Sequence, residues 1–172
     1  MAHTITIKVG TIKGESVGVD SDPKKSLTAV KPHAGEIDCI SWHWGVTQTA
    51  KASAGGGVST ADVHDLTITK FVDFATPNLI ADCHAAVKQK TGDKAGGADV
   101  GAILTLFKNV DGKPLEFMVV KLLGDVIVSS VSTGEAGEND MYTETVTFNF
   151  TKAMVTYTTP AGASNEKPVN IA

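Results

Sequence analysis

The chain has 172 residues, a net charge of −4 and no arginine, so that every basic residue other than histidine is lysine. That length suits one domain with a sizeable core, and mild acidity without arginine forks argues against a nucleic-acid surface. No apolar run approaches a membrane span, and no basic stretch followed by an apolar core opens the chain; the expectation is a protein folded in the cytoplasm, with no membrane insertion and no cleavable signal peptide.

Residues 4–9 alternate Thr, Ile, Thr, Ile, Lys, Val, the period of two that marks a strand. Gly10 ends or bends it. Residues 14–35 carry Gly, Ser, Asp, Pro and Lys without periodicity, an extended loop of the kind that packs on something. A strand is expected over 36–49, with Ile40, Trp42, Trp44 and Val46 on a core face and Ile37, Cys39, Ser41, His43 and Thr47 on a mixed one. The glycine run at 55–57 makes a mobile connection. In the next strand Leu66, Ile68 and Val72 share one face, with Thr67, Thr69 and Phe71 on the other.

Thr76-Pro77 opens a helix predicted over 76–91, with threonine as cap and proline in the first turn. Leu79, Ile80, Cys83, Ala86 and Val87 form its apolar stripe, Lys88 and Lys90 suit its C-terminal dipole, and Gly92 stops it. Residues 100–109 and 115–131 read as strands apolar on both faces. A turn lies between them at 109–112, and Gly124-Asp125 marks a bulge or bend. Residues 142–157 read as a last strand, with Val146, Phe148, Phe150 and Met154 on one side and a threonine ladder that includes Thr145 and Thr147 on the other. Residues 159–172 read as a C-terminal tail.

Mainly-β chains of this kind close most naturally into a small β-barrel, two packed antiparallel sheets, here with one flanking α-helix. Strands apolar on both faces need a second cover. The helix, a second sheet or a neighbouring subunit could supply it, and a neighbouring subunit for at least one of the two strands predicts a homo-oligomer.

The sequence offers no catalytic, cofactor or metal site. The histidines show no HExxH spacing, and no cysteine pair has metal-ligand spacing. Asp62, His64 and Asp65 read as a solvated strand entry, and His43 as a surface or interface residue. Ser129, Ser130 and Ser132 lack a nucleophile elbow. Cys39 and Cys83 read as two reduced, buried thiols.

Five stretches then carry a resemblance: IKVGTIKGES (7–16), EIDCISWHWG (36–45), DLTITKFVDFATPNL (65–79), VSSVSTGE (128–135) and ETVTFNF (144–150). In this order they resemble the haemolysin-coregulated protein (Hcp) family, the tube protein of type VI secretion. Nothing residue-specific carries over to 50–61 or 92–99, and the C-terminus is shorter than the family's usual ending, which leaves its packing open.

The resemblance implies a single β-barrel domain over 1–172 that forms homohexameric rings. The rings stack into a tube inside a contractile sheath, leave the cell with a spike, and hold or chaperone small effector proteins. It implies no enzyme and no cofactor. Ser41, His43, Thr145, Thr147, Lys24 and Lys25 are the candidate lumen or interface residues; either the threonine ladder or the face around Ser41 and His43 lines the hole. The alternatives are a monomeric β-barrel ligand-binding module, which leaves an apolar face uncovered, and a hydrolase using His64 or His43, for which no substrate suggests itself.

Overall fold

The computed structural model describes residues 4–18, 33–49, 60–136 and 141–171. Lys24, Lys25, most of the 14–35 loop and the glycine run at 55–57 lie outside the described residues. In chain order the elements are β1 (Ile5–Val9), β2 (Ile37–Cys39), β3 (Ser41–His43), β4 (Val46–Thr49), β5 (Thr60–Val63), β6 (Leu66–Phe71), α1 (Thr76–Ala85), β7 (Lys88–Gln89), β8 (Lys94–Ala95), β9 (Ala98–Val110), β10 (Lys113–Leu123), β11 (Val126–Ala136), β12 (Met141–Asn149), β13 (Lys152–Thr158) and β14 (Ser164–Asn170).

These strands make a seven-stranded sheet in the order β14-β13-β10-β9-β1-β2, with β8 paired to β9, a five-stranded sheet β3-β6-β12-β11-β7, and the outlying β4-β5 ribbon. The architecture is therefore mainly β, two packed antiparallel sheets and one helix. The two sheets do not close into one hydrogen-bonded barrel among the described residues. Between them lies a single apolar cluster: Ile7, Leu104, Val120 and Leu122 from the larger sheet meet Ile68, Val128, Val146 and Phe148 from the smaller, and Leu79 of α1 caps it. Fully burying each such side chain contributes about 1.5–3 kcal/mol.

Bends that carry the chain from one sheet to the other account for most departures from the sequence reading. The strand expected over 36–49 is three strands in three sheets. At Ile40, whose N–H donates to the Thr69 carbonyl at 2.7 Å, the chain crosses and the alternation restarts. Ile37 is consequently fully buried, whereas Ile40 and Val46, assigned to the core face, are 46% and 50% exposed. Trp42 and Trp44 pack on the core from its margin.

The expected 115–131 strand likewise divides at Gly124-Asp125 into β10 and β11, and the 142–157 strand divides at Phe150-Thr151 into β12 and β13. These two corners touch: the Thr151 hydroxyl donates to the Leu123 carbonyl at 3.1 Å. Gly124, at φ +79°, has no room for a side chain because a Cβ there would collide with Thr151 Oγ1. A bulkier residue would need both a strained backbone and a displaced neighbour.

The helix is shorter than expected. It ends at Ala85, Ala86 adopts the left-handed conformation at φ 50°, and Lys88–Gln89 becomes strand β7 rather than a last helical turn. The Val87 N–H donates to the Asp82 carbonyl at 3.0 Å, closing the C-terminus as a glycine cap would. Of the apolar stripe, Leu79 is buried and Cys83 half-buried, while Ile80 and Val87 face solvent. The expected tail over 159–172 is in large part strand: β14 pairs with β13 from Thr158↔Ser164 to Lys152↔Asn170. Pro168 is tolerated because β14 is an edge strand.

The chain itself covers most of the second face of β9, leaving Ile103 half-buried. Thr105 and Phe107 are both buried within the chain, and the His33 ring stands edge-on to Phe107 with centroids 4.9 Å apart. A register shift between Glu116 and Met118 turns Phe117 onto the core. The second face of β10 is therefore Glu116, Val119 and Lys121, opposite Phe107, Thr105 and Ile103, and only its Val119 is apolar and half-buried.

Candidate functional site

The outer face of the five-stranded sheet is where the sequence-predicted residues meet. On β6 the side chains alternate, with Leu66, Ile68 and Lys70 buried and Thr67 and Thr69 turned outward and half-buried. On β12, Glu144, Val146 and Phe148 point in, and Thr143, Thr145 and Thr147 point out. The cross-strand register aligns the outward set into two rows. Ser41 lies opposite Thr69, Thr69 opposite Thr145, and Thr145 opposite Ser132; His43 lies opposite Thr67, Thr67 opposite Thr147, and Thr147 opposite Ser130. The Thr67 and Thr147 hydroxyls are 3.2 Å apart.

Ser41, His43, Thr145 and Thr147 thus share one surface, so the two faces between which the sequence did not choose are one face. Lys24 and Lys25 lie outside the described residues. Thr67, Thr69, Ser130 and Ser132 complete the rows. Their alternation is visible in the sequence, but the pairing that aligns them is not.

At the margin of this face a register shift between Val128 and Ser130 leaves Ser129 as an extra residue. Its hydroxyl donates to the Thr147 carbonyl at 3.1 Å and lies 3.3 Å from Asp65 Oδ2. The Asn149 amide holds the other Asp65 oxygen at 2.9 Å. The two rows themselves carry no charged side chain, His43 being their only titratable member. Hydroxyls both donate and accept, so such a surface binds water and peptide groups of either polarity weakly.

Beneath the same sheet lies a buried ionic group that the sequence did not announce. Lys70, opposite Glu144 in the ladder, is fully buried. Its ammonium donates to Glu144 Oε1 at 2.6 Å, Asp73 Oδ1 at 2.7 Å and the Phe71 carbonyl at 2.7 Å. Thr76 Oγ1 also donates to Glu144 Oε1, at 2.9 Å, while Asp73 accepts the Ala75 N–H at 2.9 Å. The group fastens the first turn of α1 to β6 and β12.

His64 Nε2 stands 3.8 Å from Asp62 Oδ2, both largely exposed, and the Trp44 indole N–H donates to the His64 carbonyl at 2.9 Å. Among the described residues no group of three or more His, Cys, Asp or Glu is arranged to hold a metal ion.

Several large apolar side chains near the β6-α1 junction are exposed. Phe74 is 66% exposed, Tyr142 58%, Ile80 48% and Val72 44%. The Val72 N–H donates to the Tyr142 carbonyl at 2.9 Å. Val72 and Tyr142, with Thr133 and Gly134, line a surface hollow of about 410 Å³.

Residues 7–157 match the family model described as "Type VI secretion system effector, Hcp". The chain belongs to the Hcp family. It is 36% identical over 163 residues to the Pseudomonas aeruginosa protein Hcp1, covering 91% of this chain and 84% of that one. Its structure is similar to that of Hcp1 from Salmonella typhimurium, with a TM-score of 0.72 and 27% identity over 99% of this chain and 96% of the other. The fold also matches a type VI secretion system effector from Yersinia pestis, with a TM-score of 0.66 and 23% identity over 97% and 99% of the two chains. The matched stretch contains every strand of the Hcp hydroxyl face, and β14 lies beyond it.

Proposed function

We propose that this Hcp chain is the ring-forming subunit of a type VI secretion tube, a non-catalytic protein exported with the tube. Six copies close into a ring, the rings stack within a sheath behind a spike, and the hydroxyl face lines the hole and holds small effector proteins. The observation that carries this reading is the pair of hydroxyl rows running across four strands of a sheet whose other face is the core. A passage through which protein cargo is held and then released needs a wetted wall without strong charge, since fixed charge of one sign would retain cargo of the other.

Ring closure needs two different patches that meet head to tail. Val72 and Tyr142, which line one hollow, with the neighbouring exposed Phe74, suit one of them.

Native mass spectrometry and negative-stain microscopy of the purified chain, combined with labelling of a Thr145→Cys variant, test the proposal. The expected result is one closed hexamer in which the introduced thiol reacts with a small maleimide and is blocked to one carrying a polymer too wide for the hole. A monomer at high concentration, or equal reaction with both reagents in intact rings, overturns it; the monomer would favour the ligand-binding module instead.

A further inference from the structure

His33 stands at a neck beside the larger sheet, where residues 14–18 run against residues 33–36. The two sides of that neck are paired: Gly14 N–H donates to the Gly35 carbonyl at 2.8 Å, Gly35 N–H to the Ser16 carbonyl at 2.8 Å, and Ser16 N–H to the Glu36 carbonyl at 3.0 Å. His33 sits at φ 63°, a left-handed conformation that a non-glycine residue holds only when its surroundings enforce it. Its Nδ1 is 3.0 Å from Glu36 Oε2 and its Nε2 is 2.9 Å from Glu116 Oε1 on β10.

Both partners are carboxylates. A neutral imidazole has one N–H and one lone pair, so it satisfies one carboxylate and repels the other. Only the imidazolium donates to both.

We propose that His33 is a proton-operated clasp: charged, it ties the 14–18 and 33–36 pairing to β10 through Glu116, and on losing its proton it lets that tie go. The groups facing it account for the behaviour. Glu36 comes from its own segment and is oriented by the Thr6 hydroxyl of β1 at 2.7 Å. Glu116 comes from β10, and Phe107 of β9 offers an uncharged ring edge. Lys8 and Lys13 line the adjoining groove of about 330 Å³, with Lys8 engaged by Asp93 at 3.0 Å.

Burial lowers the His33 pKa, but the hydrogen bonds to Glu116 and Glu36 and their charges outweigh it, and the value is raised above 6.5. With the folded value above the unfolded one, the clasp's contribution is complete below about pH 6.5 and is lost as pH rises through the folded value. The clasp stands independently of the tube reading, since it rests on this neck alone.

Full-length protein with isotope-labelled histidine, assigned by a His33→Asn variant, is titrated by NMR, while hydrogen exchange of peptides covering 14–18 and 33–36 is followed across the same pH range and corrected for intrinsic chemistry. The expected result is a ring protonated on both nitrogens with a midpoint above that of a free histidine. Above that midpoint, protection of the neck amides falls roughly tenfold, the loss of one charge-assisted hydrogen bond, while amides of β9 do not change. Glu116→Gln, at a half-exposed site, shifts the midpoint down and removes the pH dependence of neck exchange. A midpoint at or below the free value, neck exchange indifferent to it, or Glu116→Gln behaving as the unaltered protein would each overturn the clasp.

Discussion

Lys70 shows how much one side chain can decide. An ammonium with no solvent exposure is tolerated because Glu144 and Asp73 surround it, and removing one partner of such a group leaves uncompensated charge in the core. Lys70→Met is therefore expected to cost about 3–5 kcal/mol, read as a lowered urea midpoint at fixed protein concentration. Adding Glu144→Leu should recover part of that loss, because the second change removes the stranded carboxylate; a double variant no more stable than the single one would show the pair not to be coupled. Cys39 makes a quieter prediction. Burial first, then the charge of Asp38, pushes its thiol up to about 12. Almost no thiolate exists near neutral pH, so alkylation by iodoacetamide should be far slower than for a free thiol. Cys39 is half-buried rather than buried as expected, so the slowness rests on its protonation, and rapid modification read by mass spectrometry would show the thiolate to be available.

At the scale of elements, corners matter more than strands. Gly112 and Gly124 both adopt positive φ, yet nothing lies near a Cβ at Gly112, whereas Thr151 occupies that space at Gly124. Gly112→Ala in the β9-β10 hairpin should cost about 1 kcal/mol, the backbone strain alone. Gly124→Ala adds a collision at the place where two sheet-changing bends touch, and should cost clearly more in the same thermal melts. Equal losses would mean the corner yields. The same corners explain the misread strands: hydrophobic alternation survives a bend, but the face to which it refers does not. Residues 115–131 therefore read as one strand apolar on both sides, when they are two strands that lend successive faces to one core.

At the scale of the whole molecule, strand composition named only part of the apolar surface that one chain leaves uncovered. The second face of β9 is largely covered by the chain's own residues, whereas Val72, Phe74 and Tyr142 near the β6-α1 junction are exposed, as are Val17, Ile40, Val46 and Tyr157 elsewhere. Phe74→Glu, with Phe74 66% exposed, should leave the circular dichroism spectrum unchanged while abolishing the closed oligomer in native mass spectrometry. A hexamer that survives this change would move the ring contact elsewhere on the surface.

Local pattern was enough for the class of the fold, for the helix start at Thr76-Pro77, for the outward threonines of β12 and, through five short stretches, for the Hcp family. Those features depend on neighbours within a few residues, where alternation and a proline in the first turn act directly. The expected threonine cap does not form, because Ala75 is the N-cap with no side-chain hydrogen bond and the Thr76 hydroxyl donates to Glu144 instead. Three things were decided only by the tertiary structure: the register that sets Ser41 and His43 in line with Thr145 and Thr147, the burial of Lys70 against Glu144, and the seating of His33 between two carboxylates. Each joins residues far apart in the chain, and a ladder can slide by two residues without disturbing any local pattern. The packing of the whole core chooses among those slides.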